Sequence, residues 1–387
     1  MDSSEPAPTV VTTPAEPQGG RQRRHPLLTI ALSVLCFFVL DNLLFRSGLY
    51  DLIVSPITTG GKLVDMVRFS KAIQTDPARD VFLLGNSRTE WGFGTGDFAR
   101  IYPHSTIRPL MGAVPGSNIE WWYYQLRAQD PHRDRYAAII IPLDGYKAAP
   151  LAVDQQNRYD SAQVLAPILR LWDWPNFLAH FSDPVIRARA RPLAIFSSHG
   201  YSLDLQDLLL HPFARYHARR ERDRVGSKWL EDWHGAPESI EALRLDPVSG
   251  KPIAYPAEFN AFRKNETDAE FIPPPADLAQ SWTTREAEFQ STWIRRIVAD
   301  YAGSKTRIIF LNIPHQPMPL PAVQPIASAP DLRSTIPDAP NVVVLPEDQF
   351  TDLQTPKYFA DVLHLNSAGR QIFTSRLGQT LQDLLAR

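Results

Sequence analysis

Residues 137 to 143 read AAIIIPL, and residues 307 to 314 read RIIFLNIP. These runs are apolar at successive positions rather than alternate ones. A strand of that kind is buried on both faces, which is the condition of a parallel sheet covered by helices. VFLLG (81–85) and NVVVLP (341–346) have the same character. TIRPLM (106–111) is a weaker fifth run, and Pro109 suits it to an edge. Helical patterns fall between these runs at Ser117 to Ala128 and at Glu286 to Ala302. The chain closes on SAGRQIFTSRLGQTLQDLLAR, where Phe373, Leu377, Leu381, Leu384 and Leu385 recur at helical spacing. The order of elements predicts an α/β fold with a mainly parallel five-stranded sheet. Ligands in such folds gather at the carboxyl ends of the strands.

A second constraint lies near the N-terminus. Residues 1–25 begin with a stretch rich in Pro, Ser, Thr and Glu that has too few apolar groups to fold, and they read as a disordered cytoplasmic tail. Arg21, Arg23 and Arg24 then precede an apolar segment at 26–46, about the length a membrane helix needs. Basic residues on that side favour its retention in the cytoplasm. No small-x-small cleavage site follows cleanly, so the segment reads as an uncleaved signal anchor. A cleaved signal peptide and an amphipathic core helix are the competing readings. Asp41 lies near the far end, where a polar side chain can reach the interface. The arginines resemble a twin-arginine signal only loosely, because Pro26 holds the usual aromatic position.

Residues 47–77 read as a stalk with short helical pieces, and 78–387 as the outer domain. Within it, 150–285 reads as a large helical and loop insertion or cap. The 35 prolines agree with long, stiffened connections. The net charge of -2 gives no reason to expect nucleic acid as a partner. The single cysteine, Cys36, excludes an internal disulfide and reads as a small hydrophobe; Leu35 before it disfavours a lipoprotein site. Outside the membrane, ATP and NAD(P)H are poor prospects as cofactors. GFGTGDF (92–98) has Asp97 where a dinucleotide fingerprint needs its last glycine, and no G-x-x-x-x-G-K-S/T occurs. The ten histidines show neither H-E-x-x-H nor H-x-H spacing, so no metal and no cofactor is expected.

Four strand ends carry polar groups to one rim: Gly85-Asn86-Ser87, Leu143-Asp144-Gly145, Pro314-His315, and Asp361 with His364 after the last strand. A serine hydroxyl needs a base within hydrogen-bond reach. Histidine is the usual base, with a carboxylate to fix its tautomer. FADVLHLNSAG sets Asp361 three residues before His364, just ahead of the final helix.

GNS after the first strand resembles the G-D-S block of SGNH/GDSL hydrolases. Gly116 of AVPGSN falls where that family keeps its second block, and D-x-x-H matches its final block. The resemblance implies a three-layer α/β/α, flavodoxin-like domain with Ser87 as nucleophile, His364 as base and Asp361 as orienting acid. The backbone N–H groups of Ser87 and Gly116 would hold the oxyanion. The G-x-S-R-x-x-W-G string and PLDGY are similar to a membrane-anchored subgroup associated with acylation of bacterial surface and exopolysaccharides. The resemblance covers roughly 78–150 and 300–387.

Two positions depart from the pattern. Asn86 replaces the usual Asp, which mainly shapes the turn. The G-x-N-D block is absent, and Asp144 stands near the place of its asparagine; an ionised Asp cannot donate to an oxyanion. Either another donor such as Asn118 substitutes, or the site is weakened or dead. Arg88, Asp144 and His315 are expected near substrate. Asp144 could equally pair with Arg88 or cap a turn, and His315 is a rival base without a carboxylate beside it. Trp121, Trp122, Tyr123 and Tyr124 cannot all face one core from a helix, so some are expected to be exposed or to meet the cap. Arg219, Arg220, Arg222 and Arg224 read as a solvated face.

The implied activity is O-acyl transfer, with acetyl favoured, to a cell-surface or secreted polysaccharide, or hydrolysis from it, through an acyl-serine. Transferase and esterase differ only in acceptor. A transferase would need a membrane partner to supply its donor. The implied address is the bacterial inner membrane, single-pass, with the main domain in the periplasm. The alternatives are a degenerate scaffold that binds polysaccharide or assists its assembly and export, and an esterase of lipid or peptidoglycan.

Overall fold

The computed structural model describes residues 26–143, 159–226, 235–246, 251–270, 276–314 and 331–386. The chain divides into an N-terminal unit ending at Leu40 and a second unit from Asp41 onward. The first is helix α1 (Pro26–Asp41), which carries no charge before its last residue. The apolar segment Pro26–Arg46 has 21 residues and a mean hydropathy of 2.3. It is long and apolar enough to cross a bilayer, a property shared by anchors and signal sequences. The tail at 1–25 lies outside the described residues.

The second unit is built on a five-stranded sheet in which every pairing is parallel, in the order β2-β1-β3-β4-β5. The strands are β1 (Asp80–Leu83), β2 (Arg108–Met111), β3 (Ala138–Pro142), β4 (Arg307–Leu311) and β5 (Val342–Val344). All five expected strands are present, each shorter than its apolar run. Pro109 does lie in an edge strand, paired with Val81. Val81, Leu83, Ile140, Ile309 and Leu311 belong to one buried cluster, while Phe82, Leu84, Ile139, Ile141, Ile308 and Phe310 belong to another. Alternate residues of each strand therefore serve separate cores, which is why the runs are apolar throughout. Burying each such side chain contributes roughly 1.5–3 kcal/mol.

Helix α2 (Thr59–Ala72) precedes β1. Helices α3 (Ser87–Gly92) and α4 (Thr95–Ile101) join β1 to β2, and α5 (Ile119–Gln129) joins β2 to β3. Between β3 and β4 come α6 (Tyr159–Leu165), α7 (Trp174–His180), α8 (Pro184–Ile195), α9 (Ser202–Leu210) and α10 (Pro212–Val225). They are followed by a short antiparallel ribbon (Arg244–Leu245 with Pro252–Ala254), α11 (Ala261–Glu270) and α12 (Ala276–Asp300). Helix α13 (Ser367–Leu385) closes the chain.

Two expectations are corrected and one is met. The segment 47–77 is not a free stalk: Leu63 and Met66 of α2 lie in the main core, and Thr58 caps the helix by accepting from the Gly61 N–H. Trp121, Trp122, Tyr123 and Tyr124 are all buried, and Tyr124 meets the 150–285 section at Phe177, as expected of the aromatics. Helix α5 is enclosed on all sides, with Trp122 donating to Ser117 and Tyr124 packed against Phe177 and Trp293. Arg219 is buried rather than solvated, because its guanidinium lies 2.7 Å from Asp65 of α2 as well as from Asp223 on its own helix. Arg220 is exposed as expected.

Asp41 also departs from expectation. Its carboxylate is buried and accepts from the backbone N–H groups of Ser197 (2.6 Å) and Ser198 (3.0 Å).

Candidate active site

Strand β1 runs out at Leu83, and the next residues turn through Gly85 into α3. Gly85 has φ +148°, and a Cβ there would lie 1.7 Å from Thr89 Oγ1. Only glycine fits this turn. Asn86 caps α3: its side chain accepts from Arg88 N–H at 3.0 Å, and its carbonyl accepts from Thr89 and Glu90. Ser87 is therefore the first helical residue, partly exposed, at the carboxyl edge of the sheet. That edge lies where the strand order reverses between β1 and β3.

Asp361 and His364 sit in a closed loop ahead of α13. Phe359 bridges Leu365, the Ala360 N–H donates to His364 O, and the Asn366 N–H donates to Tyr358 O. Buried Phe359, Val362 and Leu365 hold the loop in the core. Asn366 then caps α13 by accepting from Gly369 N–H. These contacts leave Asp361 and His364 on the side facing α3.

The three side chains meet. His364 Nε2 lies 2.8 Å from Ser87 Oγ, and His364 Nδ1 lies 2.9 Å from each Asp361 oxygen. Asp361 Oδ1 also accepts from the backbone N–H groups of Leu363 and His364, each at 2.8 Å. Burial pushes the Asp361 carboxyl up, but the imidazole and the two N–H groups outweigh it and hold it below the ordinary range. An ionised carboxylate can only accept, so Nδ1 carries the proton and Nε2 faces the serine as an acceptor.

Gly116 lies in an exposed turn with φ +72°, where a Cβ would meet nothing, so conformation rather than space calls for glycine. This turn is fastened to the first one: Val114 N–H and Ser117 Oγ both donate to Gly85 O at 2.9 Å. Asn118 uses its side-chain oxygen to cap α5, accepting from Glu120 and Trp121. Arg88 is buried and donates to Ile313 O, tying α3 to the residues just after β4. Asp144 and His315 lie outside the described residues.

Two neighbours were given no role in the sequence, although both fall in the G-x-S-R-x-x-W-G string. The Trp91 ring packs against His364, with centroids 4.8 Å apart. Its spacing four residues after Ser87 on a helix was the available signal. Glu90 lies close enough to feel the His364 charge; burial raises its carboxyl, opposed by Lys62, Arg370 and His364. Arg370 of α13, itself buried, donates to Glu90 O (2.6 Å) and Trp91 O (3.1 Å) and pairs with Asp97 at 3.0 Å. It clamps the helix that begins at Ser87 to the helix that follows His364. Among the described residues, no three His, Cys, Asp or Glu side chains are grouped to hold a metal ion.

Comparison with known protein families finds no family model that matches the chain, and comparison with curated proteins finds no match either.

Proposed function

We propose that this protein is a membrane-anchored, serine-dependent acyl transferase or esterase of the SGNH type, acting on acylated polysaccharide in the bacterial envelope. The observation that carries the reading is the continuous chain Ser87 Oγ–His364 Nε2 and Nδ1–Asp361, with contacts of 2.8 and 2.9 Å. In this reading the Ser87 proton moves to His364 Nε2 as Oγ bonds to the acyl carbon. The imidazolium then protonates the departing oxygen, leaving an acyl-serine. His364 next deprotonates water or a sugar hydroxyl, which takes the acyl group and frees Ser87. The Ser87 and Gly116 N–H groups would meet the oxyanion, each such donor being worth ~3 kcal/mol. Asn118 would join them only through its amide nitrogen.

The strand order and the two separate cores support the finer fold reading, a three-layer α/β/α domain of flavodoxin-like order over 78–387. In that reading residues 150–285, between β3 and β4, are the insertion or cap. Arg21, Arg23 and Arg24 before the apolar segment support single-pass insertion in the inner membrane with the main unit in the periplasm. A donor made in the cytoplasm would then need a separate membrane partner.

The test is intact mass of the full chain after treatment with a fluorophosphonate. One adduct, absent in Ser87→Ala and in His364→Ala, is the expected result. A folded protein that takes no adduct would overturn the reading in favour of a binding scaffold.

A further inference from the structure

Residues 41–46, the last of the apolar segment, belong to the second unit and pack within it. Besides Asp41 on Ser197 and Ser198, Arg46 donates to Ala194 O at 2.8 Å, and the rings of Phe45, Tyr50 and Tyr201 pack together. Tyr50 Oη and the Ser55 N–H donate to Asp204 of α9, and Arg215 donates to Ile53 O. Residues 41–55 and α9 therefore form one body.

Helix α9 has two faces. Asp204 and Asp207 pair with Arg215, and Leu205 and Leu208 pack against the Phe45, Tyr50 and Tyr201 cluster, while Leu203, Leu209 and Leu210 face outward. Leu209 is 81% exposed, Leu203 68% and Leu210 64%, and Phe213, at the start of α10, is 81% exposed. Leu49, Leu52 and Ile57, beside the apolar segment's end, are exposed as well. A groove of about 490 Å³ between Ser198, Ser202, Leu205 and Leu209 opens next to the residue that Asp41 holds. Arg189, Arg191, Arg220 and Arg224 are exposed over 184–226, against exposed Glu221 and Asp223, which leaves the exposed charge of this region positive. A water-facing helix does not place leucines so, whereas a helix in a bilayer interface does.

We propose that the outward face of α9 and the α9–α10 corner seats in the head-group layer of an anionic bilayer, beside the point where the apolar segment leaves it. This rests on reading Pro26–Arg46 as a membrane span. Continuity with that span's end decides for lipid over a protein partner, and the arginines match anionic head groups. The domain would then be seated on its membrane at two places rather than tethered at one.

The test uses the full chain in vesicles of equal parts phosphatidylcholine and phosphatidylglycerol, with nitroxide-labelled lipid as quencher. Native Cys36 carries a dye in one sample. Leu209→Cys, Phe213→Cys and, as a control on α13, Gln379→Cys carry it in a Cys36→Ser background. Loss of fluorescence at 36, 209 and 213, but not at 379, is expected. Loss at 36 alone would overturn the proposal and leave the span standing. No loss at any position would overturn both. A dye at 209 that is shielded from iodide yet untouched by lipid quencher would point to a protein on this face and also overturn it.

Discussion

Asp361 receives His364 twice, once through the ring Nδ1–H and once through the backbone N–H, on the same Oδ1. The loop's backbone and the His364 tautomer are thus set by one carboxylate. Replacing Asp361 by Asn is expected to slow labelling of Ser87 by a fluorophosphonate roughly 10³–10⁴-fold, because the wrong tautomer becomes available. A carboxyl held below its unfolded value adds stability above that value and loses it as pH falls through the native one. The melting-temperature gap between wild type and Asp361→Asn should therefore be widest near neutral pH. It should close below about pH 4.

Gly85→Ala should cost more than Gly303→Ala, although both glycines have positive φ. At Gly303 a Cβ meets nothing, so the cost is the left-handed backbone, about 1–2 kcal/mol. At Gly85 the new methyl meets Thr89 and displaces the turn that carries Ser87. Denaturant titration should show the larger loss at 85, and serine labelling should slow there but not in Gly303→Ala.

Arg370→Met and Arg376→Met remove the same group from different surroundings. Arg370 is buried on Asp97 and two carbonyls of α3, so its loss should cost about 3 kcal/mol. Arg376 and Asp352 pair in solvent and should cost less than about 1 kcal/mol. Equal midpoints in urea would contradict the clamp.

Glu120 is fully buried at the start of α5, with His180 Nε2 3.7 Å away. Burial pushes its carboxyl well above the ordinary range, opposed by Arg296. The native state then holds a proton that the unfolded chain releases, so stability falls as pH rises through the gap between the two values. Glu120→Gln should therefore match wild type near pH 4 and become progressively the more stable protein above it, as melting curves across pH would show.

Much of the fold could be read in the sequence because its strands are buried on both faces and so leave unbroken apolar runs. The serine turn and the D-x-x-H pair, whose side chains meet in the structure, were readable because each is a local turn. What escaped reading depends on distant partners. Arg219 looks solvated among alternating charges until Asp65 is brought against it. Asp41 reads as an interfacial residue until Ser197 and Ser198 close over it. Burial of all four aromatics of α5 needed neighbours on every side, which no single helix pattern reveals.

Ser87 and His364 are 277 residues apart and meet only through α13's approach to α3. Synthesis delivers the serine long before the imidazole. In the proposed reading a serine without its base is a feeble nucleophile, so a chain that has not yet reached His364 would be chemically mute. The order of the chain would then work as a safety catch, released only when α13 closes on α3.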